Sequence, residues 1–151
     1  MQFIIKSIKD LEGFESIPYA DPITKKEPYT FGFGFTDITQ EEAEYILNKR
    51  AIEITAELME TFSWFENLSD LRKMVIFNMR YQMGMPRLKK FKNTLRFISL
   101  GKFTDASVEM LDSSWYRQMH QLDMTDGKDE ENRAEWLAWI MKHNEYRERR
   151  V

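Results

Sequence analysis

The side chains best suited to chemistry are two carboxylates and a hydroxyl, Glu12, Asp21 and Thr30, all within the stretch Leu11 to Phe35. Helical spacing of Phe3, Ile4, Ile8 and Leu11 predicts a short amphipathic helix. It ends at Gly13, where a residue without a β-carbon can take a left-handed conformation. Glu12 is then a carboxylate in the last helical turn. Beyond it, apolar residues broken by Pro18, Pro22 and Pro28 around a polar tip, Thr24-Lys25-Lys26-Glu27, predict a small exposed hairpin. Its return would carry Asp21 and Thr30 back toward Glu12. An acid facing a second carboxylate suits hydrolysis of a glycosidic bond, one group protonating the leaving oxygen while the other handles a water or the sugar cation. Spacing alone leaves the plainer reading open, a helix end and a loop aspartate.

The full phrase is more specific. Leu11-Glu12-Gly13-Phe14, Tyr19-Ala20-Asp21 and Tyr29-Thr30-Phe31-Gly32-Phe33-Gly34 together resemble the active-site segment of the phage-type lysozymes, the small endolysin muramidases of tailed bacteriophages. The resemblance implies that Glu12, Asp21 and Thr30 are the catalytic set. One departure is plain, since Phe35 stands where that family usually has His. Phe35 and Gly32 are candidate substrate-binding positions, Gly32 because a glycine lets a strand bend where a saccharide passes close to the backbone. Further likeness lies in Phe77-Asn78, Gly84, Phe91, Asn93-Thr94-Leu95 and Ser113-Ser114-Trp115-Tyr116, so that it runs from about Leu11 to Tyr116.

Composition sets outer bounds. The 151 residues are 42% hydrophobic and 31% charged, enough for one good core or a core plus a small lobe. A net charge of −3 gives no sign of a polyanion binder as a whole. Without cysteine there is neither a disulfide framework nor a thiolate site. The apolar run at Met1–Lys6 is too short for a signal peptide or a membrane span, so the expected location is the host cytoplasm, with no membrane insertion. Release to the periplasm or wall would then require a separate holin or delivery in a virion.

The elements that must hold the site follow in order. Thr39-Gln40-Glu41-Glu42 reads as a capping box opening a helix of about twenty residues, roughly 30 Å long. By the resemblance it is the strut between two lobes. Ser69 offers a second N-cap, and Leu71 to Met79 is apolar on nearly every side, as in a central bundle helix that Gly84 and Pro86 end. Asn78 and Gln82, four apart on it, are candidate substrate-binding amides, although an Asn on such a helix more often satisfies backbone. Pro86 to Arg96 reads as an amphipathic helix whose basic face is either a phosphate site or merely solvated. A short helix starts at Thr104 or Asp105, and Trp115 reads as core. Met119 to Asn132 reads as a loop, and Asn132-Arg133-Ala134-Glu135 opens a final helix before a frayed tail from Tyr146. Family members carry an Arg near this point, which makes Arg133 the candidate electrostatic partner of Glu12.

Other chemistries find little footing. His120 and His143, without cysteine, make a poor metal set, and neither a nucleophile elbow, a phosphate loop nor a dinucleotide fingerprint is present. The expected fold is α+β and mostly α, a single two-lobed lysozyme-like domain over 1–151. Residues 13–59 form a small β-hairpin lobe and connecting helix, and 1–12 with 60–151 a helical large lobe, with substrate in the cleft. The resemblance implies a muramidase that cleaves the β-1,4 bond between N-acetylmuramic acid and N-acetylglucosamine, needing no cofactor or metal and acting as a monomer. Its partner is the peptidoglycan glycan strand and not nucleic acid. The competing reading is an inactive peptidoglycan-binding or virion structural module.

Overall fold

At Thr39 the backbone N–H and the hydroxyl both donate to Glu42 Oε2, at 2.8 and 2.9 Å, and the Glu42 N–H returns a bond to the Thr39 hydroxyl. These bonds hold the Glu42 carboxyl below the usual carboxylate range, the Thr39 backbone N–H contributing most. The capping box thus forms as the sequence expects, and helix α1, Gln40–Thr61, follows. The computed structural model describes residues 9, 14–19, 30–33, 35–118 and 131–149. The chain divides into two compact units, Met1–Arg50 and Ala51–Val151.

In the first unit, β1 (Glu15–Tyr19) pairs antiparallel with β2 (Thr30–Gly32), matching Glu15 to Gly32 and Tyr19 to Thr30 with an irregularity between. Pro18 sits in β1 without penalty to a central ladder, since among the described residues the sheet has two strands, both at an edge. Gly32 takes φ 63°, left-handed backbone that suits glycine, and turns the chain so that Phe31 and Phe35 exchange two backbone hydrogen bonds of 2.8 Å. Aromatic rings knit this small unit: Phe14 tilts against Phe33 at 5.4 Å and Phe31 meets Phe35 edge-on at 6.2 Å.

The second unit is helical: α2 (Asp70–Met83), α3 (Met85–Leu88), α4 (Lys92–Ser99), α5 (Phe103–Leu111), α6 (114–118) and α7 (Arg133–His143), with a 3₁₀ turn at Phe65–Asn67. Ser69 caps α2 by accepting from the Arg72 N–H. Leu58, Ile76, Met79, Met110, Leu137 and Ile140 are fully buried together, the flexible methionines filling gaps between branched neighbours. Arg72 ties α2 to the end of α7: its Nε donates to the Met141 carbonyl at 3.0 Å and its guanidinium lies 3.5 Å from the Phe103 ring centre.

Two expectations need correction. The single helix from Pro86 to Arg96 is two helices, with tight turns at Lys89–Phe91 where Lys90 and Phe91 donate to Arg87 and Leu88 carbonyls. Pro86 starts α3 instead of merely ending α2, as its fixed φ and missing N–H allow in a first turn. Like charges at Arg87 and Lys90, and at Lys89 and Lys92, disfavour one continuous helix. The break also sets the Phe91 ring edge-on to Trp115. Nor is the tail frayed at its start, because the Arg147 carbonyl accepts from Trp136 Nε1 at 2.8 Å. The Arg147 guanidinium forks onto Glu131 and lies 4.5 Å from the Trp139 ring centre. A planar cation that can pair and stack at once anchors a segment that length and position alone would leave loose.

Candidate functional site

The expected catalytic set falls unevenly on the structure. Glu12 and Asp21 lie outside the described residues. Thr30 is the first residue of β2, opposite Tyr19 in the ladder. Two residues further on, Gly32 has no open space beside it: a β-carbon there would come 2.7 Å from Phe35 Cδ2. The room that the glycine leaves is therefore taken by the ring of Phe35, the residue standing where the resemblance expects His. Phe35 itself is 51% exposed. It borders an open groove of about 660 Å³ lined by Phe14, Phe31, Phe33, Tyr45 and Ile46, all within the first unit.

The remaining candidates belong to the second unit. Asn78 donates its amide to the Met74 carbonyl at 2.9 Å, one turn back on α2, which is the structural use weighed for it from the sequence. Gln82 accepts from Trp115 Nε1 at 3.2 Å. Trp115 is only 6% exposed and belongs to the core, so this bond orients the Gln82 amide by one oxygen. Arg80, between these amides, pairs with Glu57 of α1 at 2.6 Å.

Arg133 is the first residue of α7 and is exposed. Its surroundings are tightly specified. Asn132, 2% exposed, accepts from the Glu135 N–H at 3.0 Å and donates its own N–H to Glu135 at 3.1 Å, a complete capping box of the kind worth about 1 kcal/mol. The Tyr116 hydroxyl adds a bond to Glu135 Oε1 at 3.2 Å. Burial, and then the Glu135 charge, push that phenol above its ordinary value, so it stays a donor. A cation in a first turn opposes the helix dipole by roughly 0.3–1 kcal/mol. Arg133 therefore stands at the start of α7 at a small cost to the helix, its side chain in solvent.

Sequence reading missed a polar recess of about 420 Å³ between α4 and α5, bordered by Lys90, Asn93, Thr94, Glu109 and Ser113. Inside it Asn93 donates to Glu109 at 3.1 Å. No local signal could have found it, because its walls come from two helices whose packing the spacing does not encode. Among the described residues no cluster of three or more His, Cys, Asp or Glu is placed to hold a metal ion, and His143 stacks on Trp139 at 4.6 Å.

Comparison with known proteins finds similar sequences. No protein-family model matches the chain. It is 34% identical over 117 residues to "Probable T4-type lysozyme 2" of Dictyostelium discoideum, covering 75% of this chain and 63% of that protein. It is 34% identical over 87 residues to "Probable T4-type lysozyme 1" of the same organism, covering 54% of this chain and 49% of the relative. The chain thus matches less than two thirds of the length of either.

Proposed function

We infer that this chain, whose curated relatives are named T4-type lysozymes and support its assignment to the phage-type lysozyme family, is a lysozyme-like glycosidase acting on bacterial peptidoglycan. The fold, mostly α with a two-stranded antiparallel sheet, is consistent with that family. The observation that carries the reading is the 34% identity over 117 residues, joined to the motif that sets Glu12, Asp21 and Thr30 in one segment.

In finer detail, the bond is the β-1,4 link from N-acetylmuramic acid to N-acetylglucosamine. Glu12 protonates the departing glycosidic oxygen, a step worth roughly 10²- to 10⁴-fold when the acid is well placed. Asp21 holds a water on the opposite face of the sugar and takes its proton, and Thr30 accepts or donates a hydrogen bond to fix that water. Because water attacks directly, the product is inverted at the anomeric carbon, and the two carboxyls stand about 6.5 to 9.5 Å apart to admit it. Arg133 is the electrostatic partner of Glu12, its positive charge favouring the ionised form of that acid.

Purified, protein-free cell walls provide the test. The wild-type protein is expected to lower their turbidity steadily and release soluble glycan. Binding to the walls with no fall in turbidity would instead identify an inactive wall-binding module.

A further inference from the structure

Residues 71–104 hold nine of the chain's 22 Lys and Arg and none of its 25 Asp and Glu. A protein of net charge −3 thus carries a sharply segregated basic region. In the fold, three of those nine have tasks or partial cover: Arg72 binds the end of α7, Arg80 pairs with Glu57, and Lys73 is half-buried. The other six, Arg87, Lys89, Lys90, Lys92, Arg96 and Lys102, are all exposed along α3, α4 and their flanking turns. None of the six makes an ion pair among the described residues.

Their backbone is fixed from below. Leu88, Thr94 and Ile98 are buried at 0%, 2% and 2% exposure, so the cations project from a surface anchored in the core. Lys92 and Arg96 lie about one helical turn apart on α4, roughly 6 Å along its axis. On the side of neighbouring α5, Glu109 is engaged by Asn93, and Asp112, just past the helix, by Arg117 at 3.6 Å, while Asp105 stands in its first turn. A ridge of unpaired cations with little reorganisation to make is complementary to an extended polymer with regularly repeated negative charge.

We propose that the α3–α4 ridge binds the phosphodiester-linked polymers of the bacterial wall and holds the protein on its substrate. The proposal rests on the peptidoglycan reading above and on the charge complementarity between this ridge and a polyanion of the wall. The rings within the ridge favour it over nucleic acid: Phe91 and Phe97 pack on the core and leave no aromatic platform for stacked bases.

Retention of the full chain on poly(glycerol phosphate), titrated with salt, tests this. Replacing Lys89, Lys90 and Lys92 together by Gln should weaken binding about tenfold or more and flatten the log–log salt slope by about 2, near 0.7 for each cation lost. A control with the same net charge, Lys49→Gln, Lys142→Gln and Arg149→Gln, should lose little, and wild type should bind the polymer at least as tightly as single-stranded DNA of equal charge. Equal losses in both triple variants, no salt-sensitive binding by wild type, or tighter binding to the DNA would each overturn the proposal. Two further measurements separate it from the hydrolytic reading. The Lys89/Lys90/Lys92 variant should digest phosphate-free peptidoglycan at the wild-type rate, and Glu12→Gln should keep its hold on the polymer. Loss of hydrolysis in the former variant, despite an unchanged unfolding midpoint, would count against a purely anchoring ridge.

Discussion

Glu12→Gln is expected to clear purified cell walls 10²- to 10⁴-fold more slowly than wild type, roughly the contribution of a well-placed general acid. Gln is nearly the same size and keeps hydrogen-bonding capacity, but it has no proton to give to a leaving oxygen. Folding should be untouched, so the urea midpoint of the variant should match wild type. Asp21→Asn should be impaired for a different reason: the amide cannot take the proton of the attacking water. Undiminished clearing by Glu12→Gln would remove that carboxyl from the mechanism and leave its motif a structural one.

The second large effect concerns stability. Leu137 is completely buried on α7, among Leu58, Met79 and Ile140 in the core of the second unit. Truncation to Ala there removes three carbons and leaves a cavity that rigid helices close only in part, at an expected cost of about 2–5 kcal/mol. The urea midpoint should fall accordingly. Leu100, at 58% exposure in the turn after α4, gives the contrast. Leu100→Ala should move stability by no more than about 0.5 kcal/mol, as for surface positions generally. Comparable losses at both sites would mean that the burial pattern of this unit is wrong.

Local chemistry was the legible part of the fold. Thr39 with Glu42, Ser69, and Asn132 with Glu135 all cap helices where the sequence places them, because a cap is decided by residues three apart. Gly84 ends α2 at φ 76°, with its N–H on the Arg80 carbonyl. Contacts between distant residues were not legible. Nothing near Arg147 announces Glu131 or the Trp139 face, and 22 residues separate Glu57 from Arg80, so neither pair leaves a local pattern. The division of 86–96 was hidden for another reason. Leu88, Phe91, Leu95 and Ile98 keep a helical period across the break, and only the crowding of cations and the irregular backbone at Phe91 mark it.

The candidate site followed the same division. Glu12, Asp21 and Thr30 were found through a motif, since two acids in a chain with 25 say little by themselves. Asn78 and Gln82 were found by helical spacing, which gives a shared side of α2 but not the bonds that decide each amide's use. The structure supplies those bonds, to the Met74 carbonyl and from Trp115. Phe35 shows the limit from the other direction. In the sequence it stood out as a departure from the family's His, whereas in the structure its ring fills the space beside Gly32 and its backbone closes on Phe31.

The reaction itself can be read from its first products. Peptidoglycan digested by the wild-type protein and reduced with borohydride labels each newly exposed reducing sugar. The account predicts label on muramic acid, with proton NMR of fresh, unreduced product showing the α-anomer before mutarotation. Label on glucosamine, or a β-anomer formed first, would contradict it.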